Sequence, residues 1–329
     1  MNRKAIKSVL KKVFLNWMNS ITDIHVKNLV RSNTIITGGS ITSMLMGEQI
    51  KDFDLYFRNK ETAKAVANYY IDKFNTVHTN QKTILLDGPV TDVQRGGLSN
   101  SKTGFLPHRF NNTEGRLKIV IMSGHIEAPE TEEEQAEQIP FEDFFDTLEQ
   151  ADELPGDLME TGKEDESKKE KYRPIYLSPN AITLSDRIQL VIRFYGEPRE
   201  IHDTYDFVHC MNYWDSNSED LTLNPEALEA ILSKTLVYKG SKYPVCSVIR
   251  ARKFINRGWK INAGQYLKIA FQISELDLKN IDVLEDQLVG VDSAYFMALI
   301  DALANKMQND PRFTVTTEYV STIIDRIFG

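Results

Sequence analysis

Two adjacent glycines followed by a serine, with Asp52 twelve positions beyond that serine and Asp54 two further on, constrain this 329-residue chain more than any other feature. Asn33-Thr34-Ile35-Ile36-Thr37 is a short β-branched run, which predicts a strand. It stops at Gly38-Gly39-Ser40, so a tight turn into a helix is expected. Beyond that helix, Phe53-Asp54-Leu55-Tyr56-Phe57 alternates as a second strand, and Asp52 and Asp54 share one of its faces. Glycines at a strand-to-helix turn permit close backbone approach, and the amides that open a helix attract phosphate. Ser40 and Ser43 can add hydroxyl donors to the same anion. Two clustered carboxylates repel each other unless a cation lies between them, and hard oxygen ligands select Mg²⁺ or Mn²⁺. A phosphate cradle beside a divalent-metal pair is what transfer of a nucleotidyl group requires.

This unit resembles the signature of the nucleotidyltransferase superfamily typified by DNA polymerase beta, poly(A) polymerases and tRNA CCA-adding enzymes. The resemblance implies an α/β (α+β) fold with a mixed sheet and flanking helices, followed by an all-helical domain. It also implies template-independent, two-metal transfer of an NMP from an NTP to an acceptor hydroxyl. Asp52 and Asp54 would then hold Mg²⁺ or Mn²⁺, and Gly38, Gly39, Ser40 and Ser43 would grip the phosphates. The third carboxylate of the family is matched by Asp206 in Tyr205-Asp206-Phe207, with Asp92 in reserve. Residues 206–213 also look like the Arg-Arg-Asp-Phe-Thr-x-Asn-Ala segment of bacterial poly(A) polymerases and CCA-adding enzymes. Thr204-Tyr205 stands where that pattern has two arginines, which leaves Asp206 as a metal ligand, a nucleotide-sugar contact or a structural strand end.

The run from Ser247 to Ile261 is similar to the Leu-Arg-x-x-Arg-Phe-x-x-x-x-Gly-Phe-x-Ile helix of the same enzymes. There a Glu-Asp-x-x-Arg motif that selects the base precedes the helix. Here Lys242-Tyr243-Pro244-Val245 precedes it, so the resemblance implies no particular base. Arg250, Lys253 and Arg257 fall at spacings of three and four and share a helix face, while Arg252 points elsewhere. That face either binds nucleotide and acceptor or is simply solvated. The resemblance spans residues 30–75 and 185–265. It implies an NTP substrate and an RNA or tRNA 3′ end as acceptor; the overall sequence pattern separately suggests a phage-encoded chain, for which the expected location is the host cytoplasm.

Length predicts two domains, since one core rarely organises more than about 250–300 residues. The expected division is a nucleotidyltransferase domain of residues 1–124 and 172–220, an insertion at 125–171, and a helical domain at 221–329. The formal charge of -8 hides an asymmetry. Between Glu127 and Glu170 stand 18 acidic residues against three lysines, leaving 36 basic and 29 acidic residues elsewhere, a net of +7. A basic body suits a polyanionic partner, and the acidic stretch is expected to be largely disordered. Its apolar island at residues 140–145 is a candidate for docking on the basic surface.

Residues 3–18 read as a basic amphipathic helix packed on the following domain, with a targeting helix or a nucleic-acid arm as alternatives. Further expectations are a helix over 62–74, strands over 83–86, 117–122, 188–194 and 206–214, and a short helix at 197–204. Helices are expected over 225–233, 242–257, 264–274, 292–308 and 316–328. Two cysteines, Cys210 and Cys246, suit a reducing cytosol, and no zinc spacing is present. No run of roughly 20 apolar residues predicts a membrane span. His202 and His209 flank Asp206 and are expected to be packing residues. Rival readings are an inactive protein of this fold, such as a phage particle component, and a same-fold enzyme acting on a protein side chain or a nucleotide.

Overall fold

The computed structural model describes residues 1–78, 81–88, 112, 115–123, 170–288, 303, 306 and 312–328. Asp92, the acidic insertion up to residue 169, its island at 140–145, and all of 292–308 except residues 303 and 306 lie outside the described residues.

Helix α1 (Arg3–Ser20) starts under Asn2, whose side chain accepts from the Ala5 N–H. Ile6, Leu10, Phe14 and Trp17, spaced by four and three, are buried. Each contributes about 1.5–3 kcal/mol by leaving water. The basic face turns to acids of the same chain: Arg3 and Lys7 each lie 3.3 Å from Asp220, and Lys11 lies 2.5 Å from Glu219. The N-terminal helix is therefore a packed element rather than a nucleic-acid arm. Helix α2 (Ile24–Asn33), capped by Asp23, leads into β1 (Thr34–Thr37), α3 (Gly39–Met46), β2 (Phe53–Phe57) and α4 (Lys60–Val77). Helix α4 buries Ala63, Val66, Ala67, Tyr70, Ile71 and Phe74, and the Trp17 indole donates to the Tyr70 hydroxyl at 2.9 Å.

Strands β3 (Gln81–Asp87) and β4 (Leu117–Ser123) form a separate antiparallel pair. The main sheet takes up the chain again with β5 (Pro174–Leu177), β6 (Ala181–Leu184) and β7 (Ile188–Tyr195). Helix α5 (Pro198–His202) follows, then β8 (Tyr213–Asp215) and β9 (Asp220–Thr222). The seven strands run in the order β5-β6-β7-β2-β1-β8-β9, with β2 and β7 parallel and every other neighbouring pair antiparallel. The fold is thus mixed α/β, as expected.

Alternation gives this sheet two distinct faces. Ile36, Phe53, Leu55 and Phe57 enter the main core with α1, α2 and α4. Ile35 and Tyr56 point the other way, into a cluster with Val191, Ile201 and Tyr205. Thr37 pairs with Asp54 in the β1–β2 register, two residues along from the Ile35–Tyr56 pair, so Thr37 and Asp54 also belong to this second face.

The strand expected over 206–214 is overturned. Val208–Cys210 is a 3-10 turn, and only Tyr213–Asp215 reaches the sheet. The apolar run reads like a strand because its members pack in different directions. Phe207 joins Leu236, Tyr238 and Trp259, while Val208 and Met211 pack with Ala227.

The rest of the described chain is helical: α6 (Pro225–Ser233), α7 (Pro244–Asn256), α8 (Ala263–Ser274), α9 (Ile281–Leu288) and α10 (Thr317–Phe328). Sequence periodicity had no counterpart for α9. Trp259, Ile269 and Ala251 of this half pack with Phe207 and with Leu45 and Met46 of α3, so α7 is held against α3 and the loop that follows α5.

Candidate active site

Gly38 is the hinge of the site. Its backbone at φ 94°, ψ -151° is one that glycine alone adopts without strain. A Cβ there would lie 2.7 Å from the Asp54 Oδ2 and 3.6 Å from the Tyr205 hydroxyl. The bare backbone thus lets the strand-to-helix turn close directly over the carboxylate. The Gly38 N–H donates to the Cys210 carbonyl at 3.2 Å, which ties the turn to the loop after α5. Gly39 is exposed, and nothing lies within 4 Å of where its Cβ would be. The first turn of α3 therefore presents open backbone amides, the arrangement that attracts an anion. Within that turn the Ser40 hydroxyl is buried and has no hydrogen-bond partner among the described residues. Ser43 is buried too, its carbonyl accepting from the Glu48 N–H at 2.9 Å at the end of α3.

Asp52 is exposed and Asp54 half-buried. Burial first, and then the Asp52 carboxylate, push Asp54 well above the usual carboxylate range, while the Lys253 ammonium pulls it back. The Asp52 charge thus acts on Asp54, and so does that of a lysine of α7. Tyr56, two residues on from Asp54, shares its face, and its ring lies 6.0 Å from that of Tyr205. Burial raises both phenols, so both are neutral donors at physiological pH. Thr37 is fixed from behind: its hydroxyl lies 2.9 Å from His202 Nε2 and donates to the Asn212 carbonyl at 2.8 Å. Burial and Lys239 pull His202 down to about 4, so the ring is neutral and serves packing and hydrogen bonding.

Asp206 is placed differently. Arg250 Nη1 donates to its Oδ2 at 2.5 Å, and its Oδ1 is buried with no hydrogen-bond partner among the described residues. Among the described residues no three His, Cys, Asp or Glu side chains are grouped so that they could hold a metal ion. Asp52 and Asp54 stand two residues apart at the start of β2, while Asp206 is given to Arg250. Mg²⁺ is commonly held by one or two carboxylates together with substrate phosphates and water, so the Asp52–Asp54 pair fits such an ion without a third carboxylate. Arg257 closes the end of α7, where its charge helps to depress His209, while Arg252 is exposed on the same helix. Cys210 is no nucleophile: burial, then the Asp54 and Asp206 charges, push its thiol up to about 12.

Sequence reasoning passed over Tyr56, Tyr205 and Thr37. Alternation along β2 was a sufficient signal for Tyr56. Tyr205 registered only as a departure from a two-arginine pattern, and its contact with Gly38 depends on tertiary structure.

A family model described as Gabija anti-defense 2 family protein matches residues 8–234, which takes in both aspartates, the glycine turn and Asp206. The chain belongs to the Gabija anti-defense 2 family. A relative named Gabija anti-defense 2, from Bacillus phage SPbetaL7, is 23% identical over 107 residues. That match covers 32% of this chain and 27% of the relative, about a quarter of its length. Among solved structures, a Thermotoga maritima CCA-adding enzyme complexed with tRNA is similar at a TM-score of 0.35 and 10% identity, over 93% of this chain and 57% of that one. A tRNA-processing enzyme with CTP is similar at a TM-score of 0.32 and 13% identity, over 84% of this chain and 53% of that one. This member of the family has no helix among its described residues long and apolar enough to cross a membrane.

Proposed function

We propose that this chain is a metal-dependent, template-independent nucleotidyltransferase that moves an NMP from an NTP to an acceptor hydroxyl, an RNA or tRNA 3′ end. On this reading the transfer serves the anti-defense role named in its family's description, in the cytoplasm of a phage-infected host. The proposed division of labour is a nucleotidyltransferase unit of residues 1–124 and 172–220, an acidic insertion at 125–171, and a substrate-binding helical unit at 221–329.

The observation that carries the reading is Asp54, lying under Gly38 where α3 opens and raised by burial and then by its neighbour Asp52. Asp52 and Asp54 would hold Mg²⁺ or Mn²⁺, which when bound offsets the charge of the phosphates and lowers the acceptor hydroxyl's hold on its proton. The opening amides of α3 and the Ser40 hydroxyl would receive the β- and γ-phosphates. Lys253 adds positive charge beside Asp54, and Arg250, steadied by Asp206, adds it from the same helix. The acceptor oxygen attacks the α-phosphorus, the new P–O bond replaces the bond to pyrophosphate, and pyrophosphate leaves with the bonding pair. The hydroxyl proton goes to solvent.

One observation favours a second reading, binding without turnover. Asp206, the match to the family's third carboxylate, is already committed to Arg250. A screen of four labelled NTPs against total RNA with Mg²⁺ and Mn²⁺ separates the two. Label in RNA with wild type and none with Asp54→Asn supports transfer. Label in protein or in a dinucleotide redirects the acceptor. NTP-dependent thermal stabilisation with no label transferred favours the binding protein.

A further inference from the structure

Tyr205, whose hydroxyl reaches toward Gly38 at the carboxylate pair, also lines a cavity of about 410 Å³. His202 stands beside it in the lining, with ring centroids 5.2 Å apart. Further lining comes from the loop Lys239-Gly240-Ser241-Lys242. That loop is preformed. Gln272 of α8 clamps Ser241 twice, its Oε1 accepting from the Ser241 N–H at 3.1 Å and its Nε2 donating to the Ser241 carbonyl at 2.6 Å. The Lys239 N–H donates to the Asp206 carbonyl at 3.0 Å, and Gly240 turns the chain at φ 119°. Nothing lies within 4 Å of where a Gly240 Cβ would be, so the backbone there is open to a ligand.

The chemistry of the lining is that of a site for a phosphorylated nucleoside. Lys239 and Lys242 bring two cations into the lining, and Asp203 stands 3.9 Å from Lys239. Compact ammonium groups on flexible stems suit a phosphate. Aromatic rings of the His202 and Tyr205 kind suit the flat face of a base. The volume lies toward the small end of the roughly 300–1,000 Å³ range of small-molecule sites, so it admits one nucleotide unit.

We propose that this cavity binds a nucleoside monophosphate unit as the second substrate, with its phosphate at Lys239 and Lys242 and its base against His202 and Tyr205. The inference deepens the transferase reading by naming a phosphorylated nucleotide, rather than a protein side chain, as acceptor. It rests on that reading only for the word acceptor.

The test is binding, in EDTA so that no metal-held nucleotide contributes. The full-length protein is titrated calorimetrically with AMP, adenosine and inorganic phosphate. AMP is expected to bind, and adenosine to bind about tenfold or more weakly, as the loss of a charge-assisted contact predicts. Lys239→Ala/Lys242→Ala should weaken AMP by a similar factor, whereas Arg252→Ala, an exposed cation lost elsewhere, should leave AMP affinity unchanged. Competition between AMP and a short single-stranded RNA identifies the source as a strand end, and its absence identifies a free nucleotide. Equal affinity for AMP and adenosine, wild-type affinity in the double lysine variant, or an equal loss in Arg252→Ala would overturn the proposal. Failure of the transferase itself would leave this binding result untouched.

Discussion

Arg250 Nη1 meets Asp206 Oδ2 at 2.5 Å, and this one contact joins a helix of the C-terminal half to the loop that closes the site face of the sheet. The Asp206 side chain is 3% exposed and that of Arg250 33%. Removing the guanidinium leaves a buried carboxylate without its counter-charge, a loss of about 3–5 kcal/mol when both partners are buried. Arg250 is partly open to solvent, which places it at the low end. Arg250→Ala is expected to lower stability by about 3 kcal/mol in denaturant titration. Arg252→Ala, exposed on the same helix, should stay within about 0.5 kcal/mol of wild type. Similar small losses in both would mean the contact contributes little.

Gly38 and Gly39 are expected to separate sharply. Gly38→Ala combines a glycine-only backbone with a Cβ 2.7 Å from the Asp54 Oδ2. Such strain costs about 1–3 kcal/mol, and the displaced carboxylate should take nucleotide transfer with it. Gly39→Ala meets open space and should fold as wild type. It would narrow the approach to the opening amides of α3, so its effect should appear in NTP affinity. Thermal melts and NTP titration of the two variants check both halves.

The pH dependence of Asp54 has a defined sign. Its folded value is raised above the ordinary 3.8, so the folded state holds a proton that the unfolded chain has released. The stability this proton represents is complete below about 3.8 and is lost as pH rises through the folded value. Asp54→Asn is expected to remove that decline, giving a melting temperature above wild type on the alkaline side. Adding Mn²⁺ should raise the melting temperature of wild type and not of Asp54→Asn. Parallel pH curves for the two proteins would refute the assignment.

His209 is fully buried, with ring centroids 4.5 Å from Phe254 and 4.2 Å from Trp259. Neither ring nitrogen has a hydrogen-bond partner among the described residues. Burial, then Arg257, pull it down to about 3 from 6.5. As pH falls below 6.5 the unfolded chain takes up a proton that the folded ring refuses, so stability is lost from 6.5 toward 3. His209→Phe should remove this part of the acid sensitivity. At neutral pH it should raise stability by about 1 kcal/mol, because an unsatisfied buried polar group disappears. Denaturant midpoints at two pH values decide it.

The strand, glycine turn, helix and second strand around Gly38 and Asp54 were legible because each rests on local rules: β-branched residues, paired glycines and period-two alternation. Helix α2 was not, since Val26 and Val30 alone are buried in ten residues and so few positions make no visible stripe. Strands β5 and β6 are four residues each, too short for periodicity to register. At the site, helical spacing put Arg250 and Lys253 on one face, while Arg257 proves to be the residue that ends the helix. What Arg250 does with that face did not follow from spacing, because its partner Asp206 lies 44 residues away in sequence. The apolar run after Asp206 misled for the opposite reason. Its side chains serve separate clusters, and hydrophobicity alone does not tell one sheet face from several small cores.

The parallel pairing of β2 with β7 sets a timetable. Phe57 faces Tyr195 across that register, so 138 residues of chain separate the two. At the roughly 5–20 residues per second of protein synthesis, about 7–28 seconds pass between the ribosome's completing β2 and its delivering β7. Throughout that interval the strand that carries Asp54 has one side unpaired. A bare apolar edge is the kind that pairs with other chains. Nascent chains stalled before residue 188 should therefore aggregate, while chains stalled with β7 clear of the ribosomal tunnel should not.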